Sequence, residues 1–162
     1  ATVFTCINLF KPEIHSKSLM PALQSAWFVP HVAVYMFAYA MMGAATLFAI
    51  YLWWQSSRRK IQADEMTACD TLVKIGWSFL TLGMVMGSLW AKEAWGDYWT
   101  WDPKETWAAA TWLGYLLYMH IRRHLKDYDY TFALLIFNFI LLQMCWWGIN
   151  FLPAAQSSVH VY

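Results

Sequence analysis

Long apolar runs separated by short polar segments form the main pattern of this chain. Four such runs cover about residues 27–55, 74–90, 103–118 and 131–152, and the first of them contains no Asp, Glu, Lys or Arg. About 20 apolar residues in an α-helix cross the roughly 30 Å hydrocarbon core of a bilayer. The pattern therefore predicts an all-α fold, a polytopic membrane helix bundle with about four transmembrane helices.

The polar segments between the runs predict which ends of the helices lie on the same side. Residues 56–72 are expected to form a loop with at most a short amphipathic helix. Seven basic residues flank this loop and the one after the third run: Arg58, Arg59, Lys60, Lys74, Arg122, Arg123 and Lys126. By the positive-inside rule both loops face the cytoplasm.

Both termini and the segment between the second and third runs are then expected on the opposite side of the membrane. This side carries the four remaining basic residues, Lys11, Lys17, Lys92 and Lys104. We accordingly divide the chain into an external N-terminal segment, residues 1–26, and a transmembrane region, residues 27–162.

Composition supports a membrane protein and excludes several other classes. Of the 162 residues, 60% are hydrophobic, 19% are aromatic and 13% are charged, whereas soluble domains have about 25% charged residues. A net charge of +1 gives no indication of a nucleic-acid partner. The cysteines Cys6, Cys69 and Cys145 form no C-x-x-C pair, so motifs for a zinc ribbon, a thioredoxin-type centre and covalent haem attachment are absent from the sequence.

The segment Trp95-Gly-Asp-Tyr-Trp-Thr-Trp-Asp-Pro-Lys-Glu-Thr-Trp107 mixes large rings with charges between two apolar runs. Aromatic rings with polar tips favour a membrane–water interface, or the wall of a site for a flat, largely apolar ligand. Its second half predicts a helix start, with Asp102 as N-cap, Pro103 at the first helical position and Glu105 at the third. A helix terminus would thus position the rings.

Three histidines are candidates for chemistry. His31 and His160 are expected at the outer ends of the first and last spans, on the side of the tryptophan-rich segment, where two imidazoles could ligate a haem iron. His120 is expected near the inner end of the third span. Two interpretations of His120 are open: a functional residue at membrane depth, or a histidine whose side chain extends to the cytoplasmic surface. Gly83 and Gly87 form a small-xxx-small pair that suits close helix packing.

The tryptophan-rich segment resembles the "WWD" signature of haem-handling proteins in cytochrome c maturation. Within that superfamily the chain is most similar to the CcsA (ResC) branch of the system II cytochrome c synthase. Pro21-Ala-Leu-Gln-Ser25 before His31, and Gly148-Ile-Asn-Phe-Leu152 before His160, resemble that family's approaches to its two outer histidines. The resemblance extends from about Pro21 to the end of the chain.

This resemblance implies that haem b is held at the outer face between His31 and His160. It also implies that the haem is presented to the C-x-x-C-H motif of an apocytochrome c. The haem would lie against residues of the WWD segment: Trp95, Gly96, Tyr98, Trp99, Trp101, Asp102, Pro103 and Trp107. His120 matches a histidine of a second, inner haem site.

The family further implies a CcsB (ResB) partner subunit, additional helices before this region, and a bacterial inner membrane or a plastid thylakoid membrane. The chain would then be the haem-presenting part of a holocytochrome c synthase. Two alternatives remain open at this point. One is a haem carrier or exporter subunit like CcmC or CcmF, without synthase activity, and the other is a structural membrane subunit.

Overall fold

Four long helices make up most of the structure, a computed structural model that describes residues 21–125 and 127–153. In chain order they are α1 Phe28–Ser56, α2 Ala63–Trp95, α3 Pro103–His124 and α4 Tyr128–Trp146, with 3₁₀ turns at Pro21–Gln24 and Gly148–Phe151. Helices α1, α2 and α4 are long and apolar enough to cross a membrane, whereas α3 has charged residues in its first and last turns. The predicted all-α helix bundle is confirmed.

The start of α2 differs from the prediction. The helix begins at Ala63, well before its apolar run, because the Gln62 backbone N–H donates to the Glu65 carboxylate at 3.0 Å in a capping box. Arg59 donates two further bonds of 2.7 and 2.6 Å to this carboxylate, which raise the pKa of its guanidinium. The loop predicted over residues 56–72 is therefore wrong from Ala63 onward.

Helix α4 is shifted towards the N-terminus relative to the prediction. The Asp127 side chain starts the helix early by accepting the backbone N–H groups of Asp129 and Tyr130 at 3.0 and 3.3 Å. The helix ends at Trp146, and the apolar residues that follow form the 3₁₀ turn Gly148–Phe151. Apolar runs locate a span, but capping side chains locate the ends of its helix.

The helices form a closed ring in which each contacts its two neighbours. Helix α1 packs along α2, α3 packs along α4, and contacts of α1 with α4 and of α2 with α3 complete the ring. The loops after α1 and α3 lie at one end, which we call the basic end. The loop after α2, residues 96–102, lies at the opposite end. We call this loop the tryptophan loop and this end the tryptophan end.

Hydrogen bonds donated by side chains join the helices inside the ring. The Trp77 indole N–H donates to the Trp112 carbonyl at 3.2 Å, and the Trp112 indole N–H donates to the Thr81 hydroxyl at 2.8 Å. The buried Asn138 amide donates to the Gly114 carbonyl at 2.8 Å. Such bonds pair polar groups of different helices and fix the helices relative to one another.

The outer face of the ring is apolar on every helix. Leu47 on α1, Val85 on α2, Leu113 on α3 and Phe137 on α4 are 70%, 56%, 57% and 56% exposed. Large apolar side chains on all sides of a bundle suit contact with lipid tails. The exposed surface therefore agrees with an integral membrane protein.

Replacing Gly76 by Ala should destabilise the bundle, because the new Cβ would lie 2.8 Å from Met42 Cγ and 3.2 Å from Met41 Cβ. Overpacking of this kind costs about 1–3 kcal/mol. Gly43 is the matched control, since a Cβ there would stand at an ordinary 3.6 Å from the Phe139 ring. Thermal unfolding in detergent should give a lower midpoint for Gly76→Ala than for Gly43→Ala; equal midpoints would contradict the close α1–α2 contact.

Candidate functional site

A cleft opens at the tryptophan end between α1, α2, α4 and the start of α3. Its empty volume, counted out to the open mouth, is about 730 Å³. The lining is rich in rings and includes His31, Tyr35, Trp90, Tyr98, Trp99 and Trp146. The cleft therefore offers one imidazole among several flat rings.

His31 is fixed in the cleft by the backbone of α2. Its Nδ1 lies 2.9 Å from the carbonyl oxygen of Gly83. Because a carbonyl can only accept, Nδ1 carries the proton in this contact, and the lone pair of the neutral ring is on Nε2. This is the arrangement that orients metal-binding histidines in many proteins.

The predicted glycine pair makes this contact possible. A Cβ on Gly87 would lie 2.7 Å from His31 Cε1, and a Cβ on Gly83 would lie 2.7 Å from the Tyr35 ring. Both distances are too short for real side chains. The missing side chains thus let two rings of α1 lie directly on the backbone of α2, and the prediction of close packing at this pair is confirmed.

Trp90 connects His31 with two other parts of the tryptophan end. Its ring stacks on the His31 ring at a centroid distance of 5.5 Å and an interplanar angle of 28°. The edge of Trp95 meets it at 4.8 Å, and its indole N–H donates to the Ala22 carbonyl at 2.6 Å. Trp90 is only 5% exposed, so the packing around it restricts the orientation of the imidazole.

The segment before α1 is tied to the outer end of α2 as well. The Ser25 hydroxyl donates to the Glu93 carboxylate, and the Trp27 backbone N–H donates to the Ser25 hydroxyl at 3.2 Å. Together with the Trp90 bond, these contacts hold the chain that leads into His31 against α2.

Gly96 starts the tryptophan loop by ending α2 in a left-handed conformation, with φ of 94°. Its N–H donates to the Lys92 carbonyl at 3.1 Å, and its own carbonyl accepts from Lys92 Nζ at 2.6 Å. Glycine adopts this φ without steric cost. This glycine of the tryptophan-rich segment therefore sets the direction in which the loop leaves α2.

The other end of the loop is held by the predicted helix cap. The Asp102 side chain accepts the Lys104 backbone N–H at 2.9 Å, and Pro103 is the first residue of α3. The Glu105 carboxylate accepts the backbone N–H groups of Asp102 at 3.1 Å and Thr100 at 2.8 Å. The assignment of these residues to a helix start is confirmed.

The predicted tryptophans of the segment do not all face the cleft. Tyr98 and Trp99 line it, whereas Trp101 is 70% exposed and meets Trp99 edge-on at 5.7 Å. Trp101 has a φ of 58°, in a region that is strained for a residue with a side chain. Trp95 contacts Trp90 edge-on and Trp107 is half-buried on α3, and neither lines the cleft.

The other two predicted histidines are not part of the described cleft. Helix α3 extends beyond its predicted end to His124, so His120 lies in its last turns at the basic end, exposed and with its ring 5.2 Å from that of His124. His160 lies outside the described residues. Within residues 21–125 and 127–153 no group of three or more metal-binding side chains is assembled.

Sequence reasoning missed several lining residues. Tyr35 and Tyr39 follow His31 at intervals of four residues, which places them on the same face of α1. Cys145 and Trp146 come from α4, where only tertiary packing brings them to His31. The helical spacing from His31 was a signal for the tyrosines, whereas no local signal marks the α4 residues.

Comparisons with known proteins identify relatives along nearly the whole chain. The model of a family described as "Cytochrome C assembly protein" matches residues 1–155. Cytochrome c biogenesis protein CcsA of Prochlorococcus marinus (strain MIT 9301) is 33% identical, over 96% of this chain and 60% of that protein. CcsA of Chlamydomonas reinhardtii is 35% identical, over 96% of this chain and 46% of that protein. The chain therefore spans roughly half the length of these relatives.

Replacing Glu105 by Ala should loosen the tryptophan loop, because the Thr100 and Asp102 amides lose their acceptor. Loss of a cap costs about 1 kcal/mol, so hydrogen exchange at these amides should accelerate roughly fivefold. Glu65→Ala removes the equivalent capping carboxylate at the basic end and is the control. An unchanged exchange rate in Glu105→Ala, or an equal acceleration in both variants, would contradict the role of Glu105.

Proposed function

Since the chain belongs to the cytochrome c assembly protein family and is of the CcsA type, we propose that it binds haem in the cleft at its tryptophan end. It then presents the haem to an apocytochrome c for thioether attachment. The haem is haem b, held without a covalent bond and passed on, so it is a substrate of the assembly reaction. The observation that carries this proposal is the fixed His31 imidazole within an aromatic cleft.

The residues of the cleft fit a haem. An iron porphyrin is a broad apolar ring with a metal at its centre and carboxylates on one edge, so it requires an axial donor, flat apolar walls and a cation. His31 offers the donor through Nε2, since Nδ1 is bound to the Gly83 carbonyl. Tyr98 and Trp99 offer flat walls, and Lys104 also lines the cleft and carries the positive charge.

We propose His160 as the second axial ligand. Helix α4 ends at the tryptophan end, where Trp146 lines the cleft. The tail that contains His160 therefore follows from this end of the bundle. Two neutral imidazoles would hold the iron until the histidine of the substrate motif replaces one of them.

The protein's own residues contribute position more than reactive groups. Haem supplies the vinyl groups, and the apocytochrome supplies the thiols. Fixing one reactant near the other removes translational and rotational freedom before the bond forms. Asp102 and Glu105 are engaged in the cap of α3, so we assign them to holding the loop, whereas Lys104 is the residue that we assign to a haem carboxylate.

We also propose a membrane orientation, a role for His120 and a partner subunit. The basic end faces the cytoplasm and the tryptophan end faces the bacterial periplasm or the thylakoid lumen, in accord with the positive-inside rule. His120 belongs to a second haem site at the basic end. A CcsB-like subunit, or further protein corresponding to the rest of the relatives' length, completes the synthase.

Changing His31 to Ala should lower haem affinity at least about tenfold, because the iron loses the bond to one of its axial ligands. His160→Ala should do the same if it is the second ligand. His124→Ala, at the basic end, is the control and should leave the outer site unchanged. Haem titration followed by the Soret band tests all three; an unchanged spectrum and affinity in a His31/His160 double variant would overturn the proposal.

Changing Trp99 to Ala should reduce haem occupancy more than changing Trp101 to Ala, since only Trp99 lines the cleft. Stacking of a flat ligand on an aromatic side chain contributes about 0.5–1.5 kcal/mol beyond area burial. The control is Trp53, which is 40% exposed and lies near the basic end of α1, away from the cleft. Equal losses of haem at all three positions would argue against a dedicated aromatic wall.

Co-expression with an apocytochrome c separates the synthase from a haem carrier like CcmC or CcmF. The complete synthase, including its partner, should give covalent haem that survives denaturing electrophoresis, and His31→Ala should abolish it. Haem bound by the chain without any covalent product in the complete system would favour the carrier.

A further inference from the structure

A second cleft lies near the basic end, in the groove between α2 and α3. We call it the basic cleft, and its lining consists of Asp70, Lys74, Tyr118, Met119, Arg122 and Arg123. Its empty volume, counted out to the open mouth, is about 330 Å³. Neither His120 nor any residue of the tryptophan end lines it, so this cleft is separate from the site described above.

A polar cluster fixes one wall of the basic cleft. The buried Tyr118 hydroxyl donates to one oxygen of Asp70 at 2.7 Å, and Arg122 Nε forms an ion pair with the other oxygen at 3.3 Å. The Arg122 guanidinium also lies 5.4 Å from the Tyr128 ring. Among the described residues Arg122 Nε makes no hydrogen bond, so its guanidinium is held by charge attraction and by the ring contact.

The balance of charge in the basic cleft favours an anion. Lys74, Arg122 and Arg123 contribute three positive charges and Asp70 contributes one negative charge, which leaves an excess of two. The single carboxylate is shared between a tyrosine and an arginine. A phosphate group matches this lining, because arginine and lysine are the side chains that most often bind phosphate.

The position of the cleft indicates where the phosphate comes from. Lys74 marks the start of the apolar run of α2, and Arg122 follows the apolar run of α3. Ile75 follows Lys74 in the sequence and Leu117 precedes the lining residue Tyr118; these two apolar side chains are 38% and 51% exposed. The positive charges therefore lie at the basic ends of two apolar runs that carry exposed apolar side chains.

We propose that the basic cleft binds the phosphate headgroup of an anionic phospholipid, whose acyl chains lie along the apolar face of α2 and α3. Basic pockets between transmembrane helices are suited to such headgroups, since each nearby cation adds to the attraction. A soluble phosphate shares the headgroup chemistry but has no acyl chains to use the apolar face.

Two double variants with equal charge test the proposal. Lys74→Gln/Arg123→Gln removes two cations that line the basic cleft, and Arg58→Gln/Lys60→Gln removes two exposed cations at the same end that do not line it. All four side chains are exposed, so neither change disturbs the core. Binding of phosphatidylglycerol to the purified protein in detergent is measured by native mass spectrometry.

The first double variant should weaken phosphatidylglycerol binding roughly tenfold or more, and the second should change it by less than about twofold. Equal weakening in both variants would mean diffuse attraction to a positive surface and would overturn a defined site. Unchanged binding in the first variant would overturn it too. Phosphatidylcholine, which has no net charge, should bind the wild-type protein much more weakly, and equal binding of the two lipids would contradict the charge argument.

Inorganic phosphate distinguishes the two sources of the anion. Millimolar phosphate should leave phosphatidylglycerol bound to the wild-type protein, because the lipid also contacts the apolar face. Displacement of the lipid by inorganic phosphate at similar concentrations would assign the cleft to a soluble phosphate and overturn the lipid proposal.

Discussion

The contact between the His31 ring and the backbone of α2 is the constraint on which the tryptophan end depends. The imidazole reaches the Gly83 carbonyl, at 2.9 Å, only because Gly87 has no side chain in its way. A backbone acceptor cannot rotate away as a side chain can, so the ring keeps one tautomer and one direction. The same contact joins the first two helices where the cleft opens.

The rest of the site is built around this fixed ring by groups that are themselves held. Trp90 stacks on His31 and is anchored through its indole N–H to the Ala22 carbonyl. The tryptophan loop is fixed at one end by the left-handed Gly96 and at the other by the Glu105 carboxylate. Several polar residues of the tryptophan-rich segment therefore fix the conformation of the loop, which carries the aromatic residues.

The sequence predicted those features that depend on neighbours along the chain. Apolar runs predicted the helix bundle, Asp102 was identified as the cap of α3, and the glycine pair indicated a close helix contact. The lining residues Trp90 and Cys145 were not predicted, because packing between helices brings them to His31. The start of α2 was missed because a capping box among polar residues, not hydrophobicity, determines it. For His160 the assignment as a ligand stays a prediction.

The most direct test of the account is an experimental structure of the haem-loaded protein in which the anomalous signal of iron locates the metal. The account predicts iron at bonding distance from Nε2 of His31, inside the cleft lined by Trp90 and Trp99. Iron found only at the basic end near His120, or in the cleft but out of reach of His31, would contradict it.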